Sequence, residues 1–162
     1  MGNATIKIRQ ARLPADEPEI LSFINGLQDY EAAFEPNRRR DSDFTMEHWR
    51  ELQRRHAEKH GIILIAEDAG VPVGWAFAHD TTAELFVIDA ERHHGTLAEL
   101  YVVPQARGKG LGRALIEGCE AWARGRGHKL LTVGVLTKNP SAIRAYEGAG
   151  YTPYWVTLRR YL

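Results

Sequence analysis

Two periods of apolar spacing alternate along this chain, and the switches between them predict strands and helices in turn. Ile6 and Ile8 alternate with polar neighbours over Thr5–Arg9, the two-residue period of a strand. Pro14-Ala15-Asp16 opens a helix that runs through about Leu27. From Tyr30 to Phe44 the pattern is lost in polar residues, with Pro36 and the run Arg38-Arg39-Arg40, which predicts an irregular connection. Thr45 is a suitable N-cap for a second helix over Met46–Lys59, which Gly61 ends. Ile62–Glu67 and Pro72–His79 read as strands joined by a turn at Ala69-Gly70, a hairpin. Glu84–Ile88 is a candidate extension of the sheet, and Asp89–Gly95 reads as a charged loop.

The next apolar segment, with Leu97, Leu100, Val102 and Val103, ends at Pro104, which cannot donate to a sheet ladder. Gly108, Gly110 and Gly112 follow, and from Leu111 the apolar residues recur at helical spacing through Ala114, Leu115, Cys119, Trp122 and Ala123. This predicts a helix over Leu111–Arg124, then a strand at Leu130–Leu136, a helix at Pro140–Ala149 and a last strand at Tyr154–Leu158.

A strand, a glycine turn and a helix start, in that order, aim unpaired backbone N–H groups and the positive end of a helix dipole at one spot. That is a seat for a phosphate or pyrophosphate. Arg107, Lys109 and Arg113 add cationic charge at its rim. The dinucleotide pattern G-x-G-x-x-G fails here, because a start at Gly108 requires glycine where Arg113 stands, and a start at Gly110 requires it where Leu115 stands. The P-loop pattern fails as well, since Gly108-Lys109 is followed by Gly110 instead of serine or threonine.

The residues that do fit are Gln105-x-x-Gly108-x-Gly110 after Val-Val-Pro, together with the segment from Asn139 to Tyr151 in the form N-x-x-A-x-x-x-Y-x-x-x-G-[FY]. This pair of motifs, separated by a strand-like segment, resembles the GNAT N-acetyltransferase family. The resemblance is close over residues 62–162 and holds in outline before them. It implies one GNAT domain over residues 1–162. The implied fold class is α/β (α+β), a mixed, strongly twisted sheet with helices on both faces, in the order β-α-α-β-β-β-α-β-α-β. It also implies acetyl-CoA as co-substrate. In that family two neighbouring parallel strands splay apart, and the exposed edge of the first pairs with the pantetheine arm.

Carried onto this chain, the edge is Leu100, Tyr101, Val102 and Val103, with a main-chain N–H near Leu100–Val102 polarising the thioester carbonyl. The pyrophosphate seat is Arg107, Gly108, Lys109, Gly110, Leu111, Gly112 and Arg113. Asn139 is expected to meet the pantetheine or to cap the helix at Pro140. Tyr146 is the candidate general acid toward the departing sulfur, with core packing on the face of Ala142, Ala145 and Ala149 as the alternative. Glu99 is the candidate base or substrate positioner. A second place for a base, on the following strand, falls near Gly134 and supplies no carboxylate. Tyr30 and Phe34, beside the arginine run, are candidates to line the acceptor site, while Tyr154 and Trp155 are candidates for the same cleft or for a homodimer contact.

Composition narrows the choice of partner. Lys plus Arg and Asp plus Glu both number 21, so no net field favours nucleic acid or an anionic membrane. No apolar run approaches membrane-spanning length. The single Cys119 excludes an intramolecular disulfide, suits a reducing, cytoplasmic compartment, and falls on the buried stripe of its helix. His56 and His60 stand four apart without the H-E-x-x-H pattern, so no metal site is expected. The expected activity is acetyl transfer from acetyl-CoA to a primary amine, with a polyamine, aminoglycoside or amino acid as acceptor. The alternatives are a protein amine as acceptor, or a non-catalytic acyl-CoA-binding domain.

Overall fold

The computed structural model describes residues 6–162. Among them, strands β1 (Ile6–Gln10), β2 (Ile62–Asp68), β3 (Val71–Thr82), β4 (His93–Val102) and β5 (Leu131–Val133) form one sheet in sequence order. The first four are antiparallel neighbours, whereas β4 and β5 run parallel, as a helical crossover between them requires. The helices are α1 (Glu17–Ala32), α2 (Phe44–Glu58), α3 (Asp89–Arg92), α4 (Leu111–Gly125) and α5 (Pro140–Gly148).

Strand alternation divides the core between two layers. Leu64, Ala76, Ala78, Leu97 and Val102 face Leu111, Leu115, Ile116 and Cys119 of α4. Ile63, Ile65, Trp75, Phe77 and Tyr101 face Ile20, Phe23 and Ile24 of α1 and Trp49 and Leu52 of α2. The mixed α/β class expected from the sequence, with helices on both faces, is the one observed. Gly26 lets α1 settle onto β4, since a Cβ there would lie 2.5 Å from the Tyr101 hydroxyl oxygen. Cys119 is fully buried, and burial pushes its thiol up to about 12.

One end of the β4–β5 pair is closed and the other is open. Gly95, Thr96 and Leu97 pair with Leu131, Thr132 and Val133. A row of hydroxyls, with Thr81 to Thr96 at 2.6 Å and Thr96 to Thr132 at 3.2 Å, ties β3, β4 and β5 together there. Beyond Leu97 the register on β3 slips, because Phe77 pairs with Glu99 while Ala78 pairs with Leu97. Ala98 is therefore the extra residue of a β-bulge, which bends its strand and increases its twist. β5 ends at Val133, so from the bulge onward β4 presents an edge with no neighbouring strand among the described residues.

Several sequence expectations differ from the structure. The strand expected at Tyr154–Leu158 does not form, and no helix or strand follows α5. Apolar alternation makes a strand only where a partner accepts its hydrogen bonds. Glu84–Ile88 adds no strand either, and the expected loop at Asp89–Gly95 is α3 followed by the start of β4. α1 continues past Leu27 to Ala32, so Tyr30 is helical. Asp43, not Thr45, is the N-cap residue of α2, and Thr45 lies inside the helix with its hydroxyl on Asn25. β5 is shorter than Leu130–Leu136. Thr5, expected to begin the first strand, lies outside the described residues. No helix among the described residues is long and apolar enough to cross a membrane.

Candidate active site

The opening between β4 and the chain beyond β5 is the mouth of a cleft of about 480 Å³. At one end stands the glycine turn. Gly108 and Gly110 have φ of 77° and 85°, values that L side chains rarely adopt, and Gly110 is the N-cap residue of α4. A Cβ placed on Gly108, Gly110 or Gly112 would meet nothing within 4 Å. The space in front of the first turn of α4 is therefore open, and the N–H groups of that turn, which no intrahelical carbonyl can reach, face it. The turn fits a pyrophosphate.

The cleft wall is the free edge of β4. The Val103 N–H donates to the Val73 carbonyl of β3 at 2.9 Å. Strand alternation then directs the amides and carbonyls of Val102 and Leu100 to the open side, and those of Tyr101 to β3. Arg107 covers part of this edge. Its Nε donates to the Val102 carbonyl at 2.9 Å, and its guanidinium lies 4.6 Å from the centre of the Tyr30 ring and 5.6 Å from that of Tyr101.

At the other end the cleft is polar. The bulge brings Glu99 to the α1–α2 side, where its Oε1 lies 2.9 Å from Nε2 of His48 on α2. The Phe44 ring stacks on His48 with centroids 5.3 Å apart and planes at 16°. Glu31 of α1 joins the lining and pairs with Arg38 at 2.7 Å. From α5 comes Tyr146, packed at 5.8 Å against Tyr151. Burial pushes the Tyr146 phenol up to about 12, and the nearby Cys119, Glu31 and Glu99 act in the same direction. Asn139 caps α5, accepting the Ala142 N–H at 3.1 Å, with the Tyr30 hydroxyl 3.5 Å from the same oxygen. A glycine-lined anion seat, a free strand edge, the Glu99 carboxylate and the Tyr146 phenol thus line one cleft.

The sequence model of the acetyltransferase (GNAT) family matches residues 24–151, which span all of these features. The chain belongs to the GNAT acetyltransferase family. GNAT members use acetyl-CoA, and the match supports acetyl-CoA-dependent acetyl transfer by this chain. No curated protein sequence matches.

Solved structures share the GNAT fold at low identity. A tetramutant protein from Bacillus halodurans superposes with a TM-score of 0.80 at 19% identity, over 96% of this chain and 99% of that one. A putative acetyl transferase from Pyrococcus furiosus gives 0.74 at 21%, over 98% and 100%. An aminoglycoside antibiotic 6'-N-acetyltransferase from Acinetobacter haemolyticus gives 0.71 at 20%, over 96% and 99%.

Most residues singled out in the sequence line this GNAT cleft: Tyr30, Glu99, Leu100, Tyr101, Val102, Arg107, Gly108, Gly110, Leu111, Gly112, Arg113, Asn139 and Tyr146. Four groups depart from expectation. Lys109 is off the cleft, held by Asp68 at 2.7 Å. Arg113 reaches the lining, but its guanidinium is committed to Glu117 and to the Gly148 carbonyl, both at 2.8 Å. Val103 is turned to β3, and Phe34 lies behind Tyr30, edge-on at 5.2 Å. Tyr154 and Trp155 stand 71% and 70% exposed, outside the cleft.

The sequence reading places Gly134 near the site but misses Glu31, Ala98, Val133, Val135 and Leu136, all of which line the cleft, and His48 behind Glu99. Glu31 would have followed from extending the α1 pattern by one turn. His48 carries no local signal, because only the bulge brings β4 and α2 together at that point.

Proposed function

We propose that this chain is an N-acetyltransferase that moves the acetyl group of acetyl-CoA to a primary amine of a small cationic acceptor, by direct attack with both substrates bound. The observation that carries the reading is the single cleft with an anion seat at one end and the Glu99 carboxylate at the other. The first turn of α4 holds the pyrophosphate, and the open edge at Leu100 and Val102 holds the pantetheine arm, with Arg107 moving off the Val102 carbonyl. An edge N–H polarises the thioester carbonyl as its oxygen gains negative charge. Glu31 and Glu99 attract the acceptor's positive charge, and Glu99 takes the proton that the ammonium must lose before attack.

The new C–N bond then forms and the C–S bond breaks. With its phenol raised to about 12, Tyr146 is a weaker acid than free tyrosine but stays protonated at every working pH. The phenol hydrogen-bonds the departing sulfur and gives it a proton as the C–S bond breaks; the nitrogen loses its second proton to water as the amide forms, and water returns a proton to the phenolate. A small acceptor accords with the aminoglycoside acetyltransferases among the structural neighbours.

The test is thiol release from acetyl-CoA across polyamines, aminoglycosides, amino acids and peptides with free amino ends. The proposal expects saturable release, dependent on the amine, with at least one small amine. Release with peptides alone would move the acceptor to protein amines. Tight acetyl-CoA binding without amine-dependent release would make the chain a binding domain.

A further inference from the structure

A carboxylate that takes a proton from each amine must lose it before the next turnover. Glu99 is poorly placed to do so through the cleft, since its side chain is 14% exposed and an acceptor would cover what remains. On its other side stands His48, 28% exposed, with Nε2 at 2.9 Å from Oε1. Among the described residues Oε2 has no protein partner, and neither does Nδ1 of His48. The pair thus has one free end toward the cleft and one away from Glu99. Phe44, stacked on the imidazole, fixes the plane of the ring.

We propose that His48 is a positioning and proton-relay residue that carries the amine's proton from Glu99 to solvent through the α2 face. This rests on the reading of Glu99 as the base. An ammonium N–H proton passes to the Glu99 carboxylate. The resulting carboxylic acid gives a proton to Nε2 of the His48 tautomer that carries its proton on Nδ1. The imidazolium gives its Nδ1 proton to water, Glu99 is again a carboxylate accepting from Nε2–H, and exchange of the imidazole proton through water from Nε2 back to Nδ1 resets the ring for the next turnover. One proton leaves the acceptor and one reaches solvent, and imidazole is the side chain suited to such exchange near neutral pH.

The charged and titratable groups around the pair come from every neighbouring element. α2 contributes Glu47 and Glu51, each held by arginines; the loop before it, Arg39 over the Phe44 ring; α1, Glu31; the glycine turn, Arg107; and α5, Tyr146. Glu31, Glu47 and Glu51 are already paired with arginines, so none of them is a free proton acceptor beside Glu99.

The experiment compares wild type with His48→Gln, which keeps a hydrogen bond to Glu99 but cannot accept a proton, and with His48→Ala in the presence and absence of added imidazole. The best acceptor from the amine panel is used, and calorimetric binding of CoA reports an intact cleft. His48→Gln should lower kcat at least about tenfold near neutral pH, part of what a direct general base supplies. Acceptor KM should stay within about twofold, and the deficit should narrow as pH rises and the amine arrives free. Imidazole should restore turnover to His48→Ala.

Unchanged kcat in His48→Gln, a loss confined to KM, or no rescue by imidazole would overturn the relay while wild-type turnover upheld the proposed function. Absence of amine-dependent turnover in wild type would overturn both. Loss of CoA binding in both variants would make His48 a structural support and overturn the relay.

Discussion

Replacing Gly112 separates the needs of the fold from those of the ligand. Gly110, the other obvious target, confounds them, because its φ of 85° strains any side chain. Gly112 has no such φ, is the second residue of α4, and leaves nothing within 4 Å of the point where a Cβ would stand. For the protein alone, Gly112→Ala exchanges a poor helix former for the best one and should stabilise the fold by roughly 0.5 kcal/mol, the low end of the usual range for a first-turn position. In a chain of this size that raises Tm by about 1–2 °C. Gly112→Leu, whose propensity is close to that of alanine, should likewise not lower Tm.

For the ligand the same substitution is costly. A leucine side chain at Gly112 fills the space where the pyrophosphate must approach the helix N–H groups. Losing one charge-assisted hydrogen bond costs about 1.5–3 kcal/mol, or roughly 10- to 150-fold in Kd. Thermal unfolding without ligand, paired with calorimetric titration of CoA, reads both effects on one sample. A lower Tm for Gly112→Leu would refute the open space before α4, and an unchanged CoA affinity would refute the glycine turn as the pyrophosphate seat.

Three further outcomes follow from the geometry. Tyr146→Phe should lower kcat by about 10²-fold or more while changing the acetyl-CoA KM far less, and a near wild-type rate with chemistry limiting would return Tyr146 to core packing. Glu99→Gln should depress kcat/KM most at low pH, where the amine is protonated, with the deficit closing toward the amine's own pKa; parallel pH profiles would remove Glu99 from proton transfer. Acid sensitivity of the fold should centre on Asp16, which is buried and accepts Arg9 at 2.6 and 2.8 Å and the Arg12 N–H at 2.6 Å. The Arg9 hydrogen bonds hold its carboxyl at about 2 against an ordinary 3.8. Because the folded-state value is depressed, the stabilisation of about 2 kcal/mol is present above pH ~4 and is lost as pH falls toward ~2. Asp16→Asn should flatten that limb of the stability–pH curve, and an unchanged limb would place the acid-labile contact elsewhere.

The parts of the site legible in the sequence are those written in consecutive residues. The glycine turn, the strand stopped by Pro104 and the Asn139–Tyr151 segment are each local, and the structure brings them to one cleft. Features that depend on tertiary pairing were hidden. Nothing in Leu97-Ala98-Glu99 marks Ala98 as an extra residue, yet that bulge decides which layer Glu99 faces and so puts His48 beside it. The charges of Lys109 and Arg113 were legible, but the partners that divert them, Asp68 and the Gly148 carbonyl, lie far away in sequence. Tyr154–Leu158 carries a strand pattern but has no partner strand among the described residues, so the pattern overstated the structure.

The central claim is that one cleft seats acetyl-CoA from the glycine turn to Glu99 and Tyr146. A crystal structure of the chain with CoA tests it most directly. The account predicts the pyrophosphate on the N–H groups at Gly110–Gly112, the pantetheine arm paired with the Leu100 and Val102 edge, Arg107 displaced from the Val102 carbonyl, and the sulfur at the Tyr146 hydroxyl. CoA bound away from the glycine turn, or bound with Arg107 still on Val102 and the strand edge bare, would contradict it.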